Sequence, residues 1–175
     1  MAQPVRLNAR AYWRHVPSAL RFLEGQSIYG ARDALSYIHV QDYNSGTMYG
    51  LDGAIYAEGT ADFHVAMTEM LLRGFQVAGD RRNLFPALRP DQVALGVPAS
   101  PGATGSGFTR HSDLRNALNY LVRGISFGGK YKLQNPAGYP GLRGLMTFSI
   151  NRDVAAGRAL SKSIEPLLEG YDRAR

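Results

Sequence analysis

The sequence predicts an α/β fold built on a parallel sheet. Three segments of strand character alternate with three of helical periodicity, in the order strand 35–44, helix 60–74, strand 92–97, helix 112–124, strand 144–150 and helix 163–168. Such alternation is typical of strands that lie side by side in one direction with helices covering them. The 20 glycines and 9 prolines in 175 residues also suit an architecture with many strand-to-helix loops.

The first predicted strand has one polar and one apolar face. Because side chains alternate across a strand, one face carries four polar or aromatic residues: Tyr37, His39, Gln41 and Tyr43. Ile38 and Val40 share the other face. In a barrel the polar face can line the lumen while the apolar face packs under helices. A loop signal at 44–46 follows, and polar groups at the carboxyl end of a strand are typical of a barrel active-site rim.

The next segments are a loop and a helix. We expect a long loop over 45–59, and then a helix that Thr60 caps and Gly74 ends, with Met67 and Met70 as core-filling side chains. The strand 92–97 should stop at Pro98 and lead into a glycine-rich loop, 100–107. A phosphate-binding role for this loop is disfavoured, because no Gly-Lys-Ser/Thr follows it.

The last third of the chain supplies the remaining elements. Ser112 is the expected cap of the second helix, which ends at Gly124, and Asp113 fits the first turn of that helix. A glycine-rich region, 124–141, precedes the third strand, and Pro166 fits the first turn of the final helix. At the other end, the Arg-rich N-terminus predicts an irregular segment and a short helix over 18–24.

Composition and charge exclude several classes of function. The net charge of +6 and pI near 9.8 come from scattered basic residues, which disfavours nucleic acid as a partner. The absence of cysteine excludes disulfides, a thiolate nucleophile and cysteine-ligated zinc. His39, His64 and His111 lack metal-site spacing, so each is expected to be structural or solvated, and no metal or cofactor is expected. No run reaches the ~20 apolar residues of a membrane span, and no signal-peptide core is visible.

Four motifs occur in a family-specific order. They are Val40-Gln41-Asp42-Tyr43-Asn44, the run Pro90-Asp91-Gln92-Val93-Ala94-Leu95-Gly96-Val97-Pro98-Ala99, Gly105-Ser106-Gly107-Phe108 and Arg143-Gly144-Leu145-Met146-Thr147-Phe148-Ser149-Ile150-Asn151. Together they resemble the C-terminal part of glycoside hydrolase family 18 chitinases of the bacterial single-domain and hevamine-like type. The resemblance divides the chain into a poorly matched segment, 1–26, and a barrel part, 27–175.

The resemblance implies a fold, a reaction and a set of site residues. The fold would be part of a (β/α)₈ barrel, with the matched strands as its sixth, seventh and eighth. The reaction would be retaining hydrolysis of β-1,4-linked N-acetylglucosamine polymers, in which the substrate's acetamido oxygen attacks the anomeric carbon. Tyr43 would hydrogen-bond that acetamido group and Gln41 would line the same pocket. The remaining substrate-binding positions implied are Met146, Phe148 and Asn44, the last with a more structural role.

Two departures from the family pattern bear on activity. The family's fourth-strand signature, Asp-x-x-Asp-x-Asp-x-Glu, which ends in the general acid, matches nothing in these 175 residues. At the position where the family has the tryptophan that forms the floor of the sugar pocket, this chain has Phe148. At the next position where the family has an aromatic residue, it has Arg152. Phenylalanine keeps an apolar platform but loses area and the indole N–H. We therefore expect retained N-acetyl-pocket residues without hydrolysis by this chain alone.

Several alternatives stay open. The second candidate function is a non-catalytic chitin-oligosaccharide-binding or assembly module, supported by aromatic loops around Tyr49, Tyr56, Tyr131 and Tyr139. A gene remnant or a wrongly assigned start is a third. Gln41 and Tyr43 could be a satisfied polar pair in a sheet, and Phe148 could be ordinary core.

The barrel expectation also bears on partners and compartment. A complete barrel needs about 250 residues, so we expect an open half-barrel that self-associates or joins a separately encoded N-terminal half. Members of the family are usually secreted, but the sequence leaves the compartment undetermined.

Overall fold

The computed structural model describes residues 32–77, 80 and 82–173. The short helix expected over 18–24 and the division at residue 26 lie outside the described residues. The described strands are β1 (Ile38–Gln41), β2 (Thr47–Tyr49), β3 (Ile55–Ala57), β4 (Phe75–Gln76), β5 (Leu84–Phe85), β6 (Val93–Pro98) and β7 (Gly144–Phe148). The α-helices are α1 (Ala61–Arg73), α2 (His111–Arg123), α3 (Ile150–Ala155) and α4 (Ala159–Asp172), and short 3₁₀ turns cover Arg32–Ala34 and Pro90–Gln92.

The central sheet is parallel and has the order β1-β6-β7. Its register pairs Gln41 with Gly96 and Gly96 with Met146, so the carboxyl ends of all three strands lie at one rim. Helices α1 and α2 follow β1 and β6 and pack against each other. The predicted fold class is confirmed: the described residues form part of an α/β barrel.

The two faces of this sheet differ as the sequence predicts. One face carries Val40, Leu95 and Val97, which are 3%, 0% and 1% exposed and belong to the main hydrophobic core. Because register partners in a parallel sheet share a face, the opposite face carries Gln41, Gly96 and Met146. Gln41 and Met146 are half-buried. The polar face is therefore turned away from the helix layer and towards the lumen side.

Helix α1 begins and ends where the sequence predicts. The Thr60 hydroxyl accepts a hydrogen bond from the Phe63 amide at 3.2 Å and donates to the Ala57 carbonyl at 2.7 Å, and Gly74 follows the last turn. Its buried residues include Phe63, Val65 and Met67, and the helix packs against β6 and α2. This helix also anchors neighbouring loops, because four of its polar side chains hydrogen-bond other segments: Asp62, His64, Glu69 and Arg73.

The predicted cap of α2 was wrong by two residues. The amides of Asp113 and Leu114 both donate to the Arg110 carbonyl at 3.0 Å, so the helix begins at His111 and Ser112 lies inside its first turn. Asp113 is in the first turn as expected, where it accepts from Arg110 Nε at 2.9 Å. The helix ends at Gly124, as predicted, in the left-handed conformation with φ 68°.

Three further predictions need correction. Residues 45–59 are not a plain loop, because β2 and β3 pair as an antiparallel hairpin around a turn at Asp52 and Gly53. The third strand stops at Phe148, because the Ser149 carbonyl accepts the Asp153 amide and opens α3. The final helix runs over 159–172, so Pro166 lies in its interior rather than its first turn.

The extra length of α4 has a packing cause. Leu160, Ile164 and Tyr171 are buried in the core, and the Tyr171 hydroxyl donates to Asn119 Oδ1 on α2 at 3.0 Å. Tertiary burial therefore outweighs the local cost of an interior proline. The small β4–β5 pair, in which Phe75 and Phe85 stack at 5.1 Å, was not predicted. Within the described ranges, no helix has the length and apolarity needed to cross a membrane.

Candidate functional site

Two aromatic rings meet at the carboxyl-end rim of the sheet. Tyr43 follows β1 by two residues and Phe148 ends β7, and their rings stack with centroids 5.8 Å apart and planes at 28°. Tyr43 is 7% exposed, whereas Phe148 is 47% exposed. Phe148 is therefore not ordinary core: one side of its ring supports Tyr43 and much of the rest is open to solvent.

The polar groups of this rim are arranged around the Tyr43 backbone. Gln41 Nε2 donates to the Tyr43 carbonyl at 3.1 Å, which ties the strand end to the residue that follows it. Burial raises the pKa of Tyr43, so its hydroxyl keeps its proton through the neutral range. Among the residues that the structure describes, no group hydrogen-bonds this hydroxyl. A neutral donor at the rim is thus available to a ligand.

Met146 lies on the same face, directly above a glycine. A Cβ placed on Gly96 would lie 2.9 Å from Met146 Cε and 2.6 Å from the Val40 carbonyl oxygen. Because Gly96 has no side chain, the Met146 thioether can extend over β6 towards β1. Gln41, Tyr43, Met146 and Phe148 are brought together on one face.

Asn44 lies beside this group and links two loops. It adopts φ 52°, and its Oδ1 accepts from the Ser106 amide at 3.0 Å, so the loop after β1 is bonded to the glycine-rich loop after β6. Asparagine is among the few non-glycine residues that adopt this conformation readily. Asn44 itself is exposed and turned to the loop contact.

A carboxylate fixes the base of the β2–β3 hairpin. Glu58 accepts from the Ser45 amide at 2.8 Å and from the Ser45 hydroxyl at 3.1 Å. Burial alone would raise the pKa of Glu58, but the hydrogen bonds from Ser106, Ser45 and Gly46 together lower it. Glu58 is therefore an ionised anchor, not a proton donor.

A buried polar chain runs behind Tyr43, and sequence reasoning missed it. Asp42 Oδ2 lies 2.7 Å from His64 Nδ1, and His64 Nε2 lies 2.7 Å from the Thr109 hydroxyl. Asp42 and His64 are fully buried and Thr109 is 3% exposed. Burial raises the pKa of Asp42, although the hydrogen bond and charge of His64 oppose that rise. The one available signal was an aspartate beside Tyr43 in the first motif.

A second buried carboxylate was also missed. Glu69 on α1 accepts from the hydroxyls of Tyr131 at 2.8 Å and Tyr139 at 2.6 Å, and from the Gln134 amide at 2.9 Å. It thereby holds the glycine-rich region 124–141 against the helix layer. Burial and the Glu69 carboxylate raise the pKa of both tyrosines well above the ordinary range.

The aromatic loops expected to present a binding surface are mostly internal. Tyr56, Tyr131 and Tyr139 are 5%, 1% and 8% exposed, and Tyr56 donates to Asp52 Oδ2 at 2.5 Å. Tyr49 is 43% exposed and is the one of the four that faces solvent. Over the described ranges, no cluster of three His, Asp or Glu side chains could hold a metal ion.

Comparisons with known proteins give a consistent set of relatives. No protein-family model matches the chain. It is 54% identical over 143 residues to Chitinase D of Niallia circulans and 53% identical over 143 residues to Chitinase Chi52 of Paenibacillus xylanexedens, in each case covering 82% of this chain and 27% of the relative. The crystal structure of a family GH18 chitinase from Chromobacterium violaceum superposes with a TM-score of 0.72 at 40% identity, covering 78% of this chain and 36% of that one. The chain thus spans about a quarter of the length of these two curated relatives.

Proposed function

Since this chain belongs to glycoside hydrolase family 18 and spans part of the length of its chitinase relatives, we propose that it carries the N-acetyl-binding side of a chitin-hydrolysing site. The proposed ligand is a chain of β-1,4-linked N-acetylglucosamine. The matched strands would be the sixth, seventh and eighth of the family barrel.

One observation carries this proposal. Gln41, Tyr43, Met146 and Phe148 converge on one face of the sheet at the carboxyl-end rim, where barrel enzymes bind substrate. The group combines a phenol hydroxyl without a described partner, a half-exposed ring and apolar side chains. A sugar with an acetamido substituent needs those features: a donor for the acyl oxygen and an apolar surface for the ring and methyl group.

The chemistry assigned to these residues is positioning. In substrate-assisted retaining hydrolysis the acetamido oxygen attacks the anomeric carbon, so the acyl group must be held below the sugar ring. The Tyr43 hydroxyl would donate to this group, and its raised pKa keeps the proton in place. Phenol and carboxamide are both neutral here, so neither Tyr43 nor Gln41 competes with the acetamido oxygen as a nucleophile.

Phe148 supplies the platform in this proposal. Its ring is braced by Tyr43 on one side and is 47% exposed, so a sugar could stack on it without displacing core side chains. The contact area is smaller than a tryptophan would offer. Replacing Phe148 with Trp should therefore strengthen oligosaccharide binding, and replacing it with Ala should weaken binding while leaving stability nearly unchanged.

The general acid is proposed to come from residues other than these 175. The family's acidic signature has no counterpart in the sequence, and Glu58 is held ionised by its hydrogen bonds. A separately encoded N-terminal half could complete the barrel and supply the acid, whereas a second copy of the chain could complete the barrel without supplying the acid. Size-exclusion chromatography with light scattering tests this, and a stable monomer with a cooperative melting transition would count against it.

Binding is tested by calorimetry with chitotetraose. Tyr43→Phe should lower the affinity by about fivefold, the value of one net hydrogen bond. Tyr171→Phe is the matched control. It also removes one tyrosine hydroxyl, but that hydroxyl joins α4 to Asn119 on α2 and is not one of the rim groups. Equal losses in both variants, or no saturable binding by the unaltered protein, would contradict the proposal.

A hydrolysis assay tests the proposal that the general acid is not among these 175 residues. The purified chain should release no chitobiose from colloidal chitin at an enzyme-like rate, because a general acid commonly contributes about 10²–10⁴-fold. Release that Tyr43→Phe abolishes would show that the acid is present after all. The alternative, a non-catalytic chitin-oligosaccharide-binding or assembly module, loses most of its sequence support, because only Tyr49 of the four loop tyrosines is exposed.

A further inference from the structure

We propose that the buried chain of Asp42, His64 and Thr109 is a positioning device that holds Tyr43 in its ligand-binding place. The inference rests on the proposed function of Tyr43. Asp42, His64 and Thr109 are positioning residues, because burial keeps all three away from any ligand.

The chain belongs to a closed circuit around Tyr43. Asp42 immediately precedes Tyr43, and its side chain reaches His64 on α1. His64 reaches Thr109, and the Thr109 hydroxyl is also 3.4 Å from the Gly107 carbonyl oxygen. Gly107 in turn lies against the Tyr43 backbone: a Cβ placed on it would be 2.5 Å from Tyr43 Cα. Each step of the circuit is a hydrogen bond or a backbone contact.

Three separate segments are joined in this way. Asp42 extends β1, His64 lies in the first turn of α1, and Thr109 lies between β6 and α2. Residues adjacent in an extended segment point to opposite sides, so anchoring Asp42 towards the helix layer turns Tyr43 towards the rim. The Asp42 amide also donates to the Gly96 carbonyl at 3.0 Å, which fixes the same turn from the sheet side.

The polar chain is a costly way to fill this space. Burying a carboxylate and an imidazole disfavours folding unless their hydrogen bonds are well formed, and apolar side chains of similar volume would pack at less cost. Asp42 Oδ1 has no hydrogen-bond partner among the described residues, so even the observed network leaves one acceptor unused. Directional bonds, unlike apolar packing, specify one geometry for the residue that follows Asp42.

The Thr109 hydroxyl is the link that can be removed most cleanly. A hydroxyl can donate to His64 Nε2, or accept from it and donate to the Gly107 carbonyl. Valine has the same shape and can do neither, so Thr109→Val leaves a buried imidazole nitrogen without a partner. Opening the 105–109 loop would let water reach that nitrogen, and would release the backbone contact on Tyr43.

The test compares two buried hydroxyls, those of Thr109 and Tyr139, which make similarly short hydrogen bonds of 2.7 and 2.6 Å. Thr109→Val should weaken chitotetraose binding about tenfold, the effect of an unsatisfied buried group transmitted to the site. Thr109→Ser keeps the hydroxyl and should restore the affinity. Tyr139→Phe, which removes a 2.6 Å bond to Glu69, should lower stability to urea without changing affinity. Should Thr109→Val not fold, His64→Asn replaces it, since the carboxamide can meet Asp42 but not Thr109.

Three results would contradict the positioning role of Asp42, His64 and Thr109. An unchanged affinity in Thr109→Val, an equal loss in Tyr139→Phe, or failure of Thr109→Ser to restore binding would overturn the inference. If the unaltered protein binds no chitotetraose, the proposed function fails, and ring-to-ring nuclear Overhauser contacts between Tyr43 and Phe148 become the readout. Loss of those contacts in Thr109→Val but not in Tyr139→Phe supports the positioning role, and their persistence in both refutes it.

Discussion

Replacing Glu69 with alanine should strongly destabilise the protein, because this one carboxylate accepts hydrogen bonds from four donors of the 124–141 region. Glu69 is fully buried, and no Lys or Arg among the described residues forms a salt bridge with it. Its two oxygens accept from the hydroxyls of Tyr131 and Tyr139 and from the amides of Gln134 and Asn135. Removing the carboxylate leaves these four donors without their acceptor, two of them buried tyrosine hydroxyls, and opens a cavity between α1 and the 124–141 region.

The magnitude follows from those bonds. Each stranded buried donor costs about 1–3 kcal/mol, and partial relaxation of the region should limit the total to about 3–5 kcal/mol. That is a large share of the roughly 5–15 kcal/mol that stabilises an ordinary domain. Urea unfolding followed by circular dichroism measures it, with Glu165→Ala on the exposed side of α4 as the control. A Glu69→Ala protein within about 1 kcal/mol of the parent would refute the reasoning.

Three further changes should have measurable effects on stability. The pKa of Glu58 is lower in the folded protein than its unfolded value of 4.5, so ionised Glu58 stabilises the fold above pH 4.5 and this stabilisation is lost as the pH falls through the folded pKa. In urea unfolding at a series of pH values, Glu58→Gln should therefore reduce the loss of unfolding free energy at acid pH. Thr60→Ala removes the bond to the Phe63 amide and should cost about 1 kcal/mol by thermal melting, and no shift would mean that water replaces the cap. Pro166→Ala restores a helix donor inside α4 and should raise the melting temperature, whereas a fall would show that the ring itself packs usefully.

The sequence predicted most of the central architecture for identifiable physical reasons. The alternation of polar and apolar residues in β1 predicted its two faces, and the structure agrees: Val40 is covered by the helix layer, whereas Gln41 is only half-buried. The bounds of α1 were predictable because Thr60 and Gly74 act locally, through one side-chain hydrogen bond and one backbone conformation. Signals that act within a few residues can be read without knowledge of the fold.

The errors arise where distant contacts outweigh local preference. Pro166 suggested a helix start, yet burial of Leu160 and Tyr171 against the core extends α4 on both sides of it. The hairpin within 45–59 was missed because its two strands are only three residues long and carry few β-branched residues. Neither gives a period long enough to recognise.

The site was predicted in part, and the missing part is the buried layer. Gln41, Tyr43, Met146 and Phe148 were named from motifs, and the structure brings them to one face, while their roles remain proposals. The partnership of Asp42 with His64 spans 22 positions and that of His64 with Thr109 spans 45. A single sequence gives no sign of which polar residues meet across such separations.

The packing of Gly107 divides the loop after β6 into a fixed end and a free end. At Gly107 the backbone conformation is left-handed, φ 86°, and the space a side chain would need is filled by Tyr43. At Gly102 an added side chain would meet no atom within 4 Å. Residues can therefore be exchanged or inserted around position 102 to diversify what the rim contacts, whereas the segment next to Tyr43 tolerates neither. Design libraries aimed at new ligand preferences should vary the tip of this loop and leave its last residues unchanged.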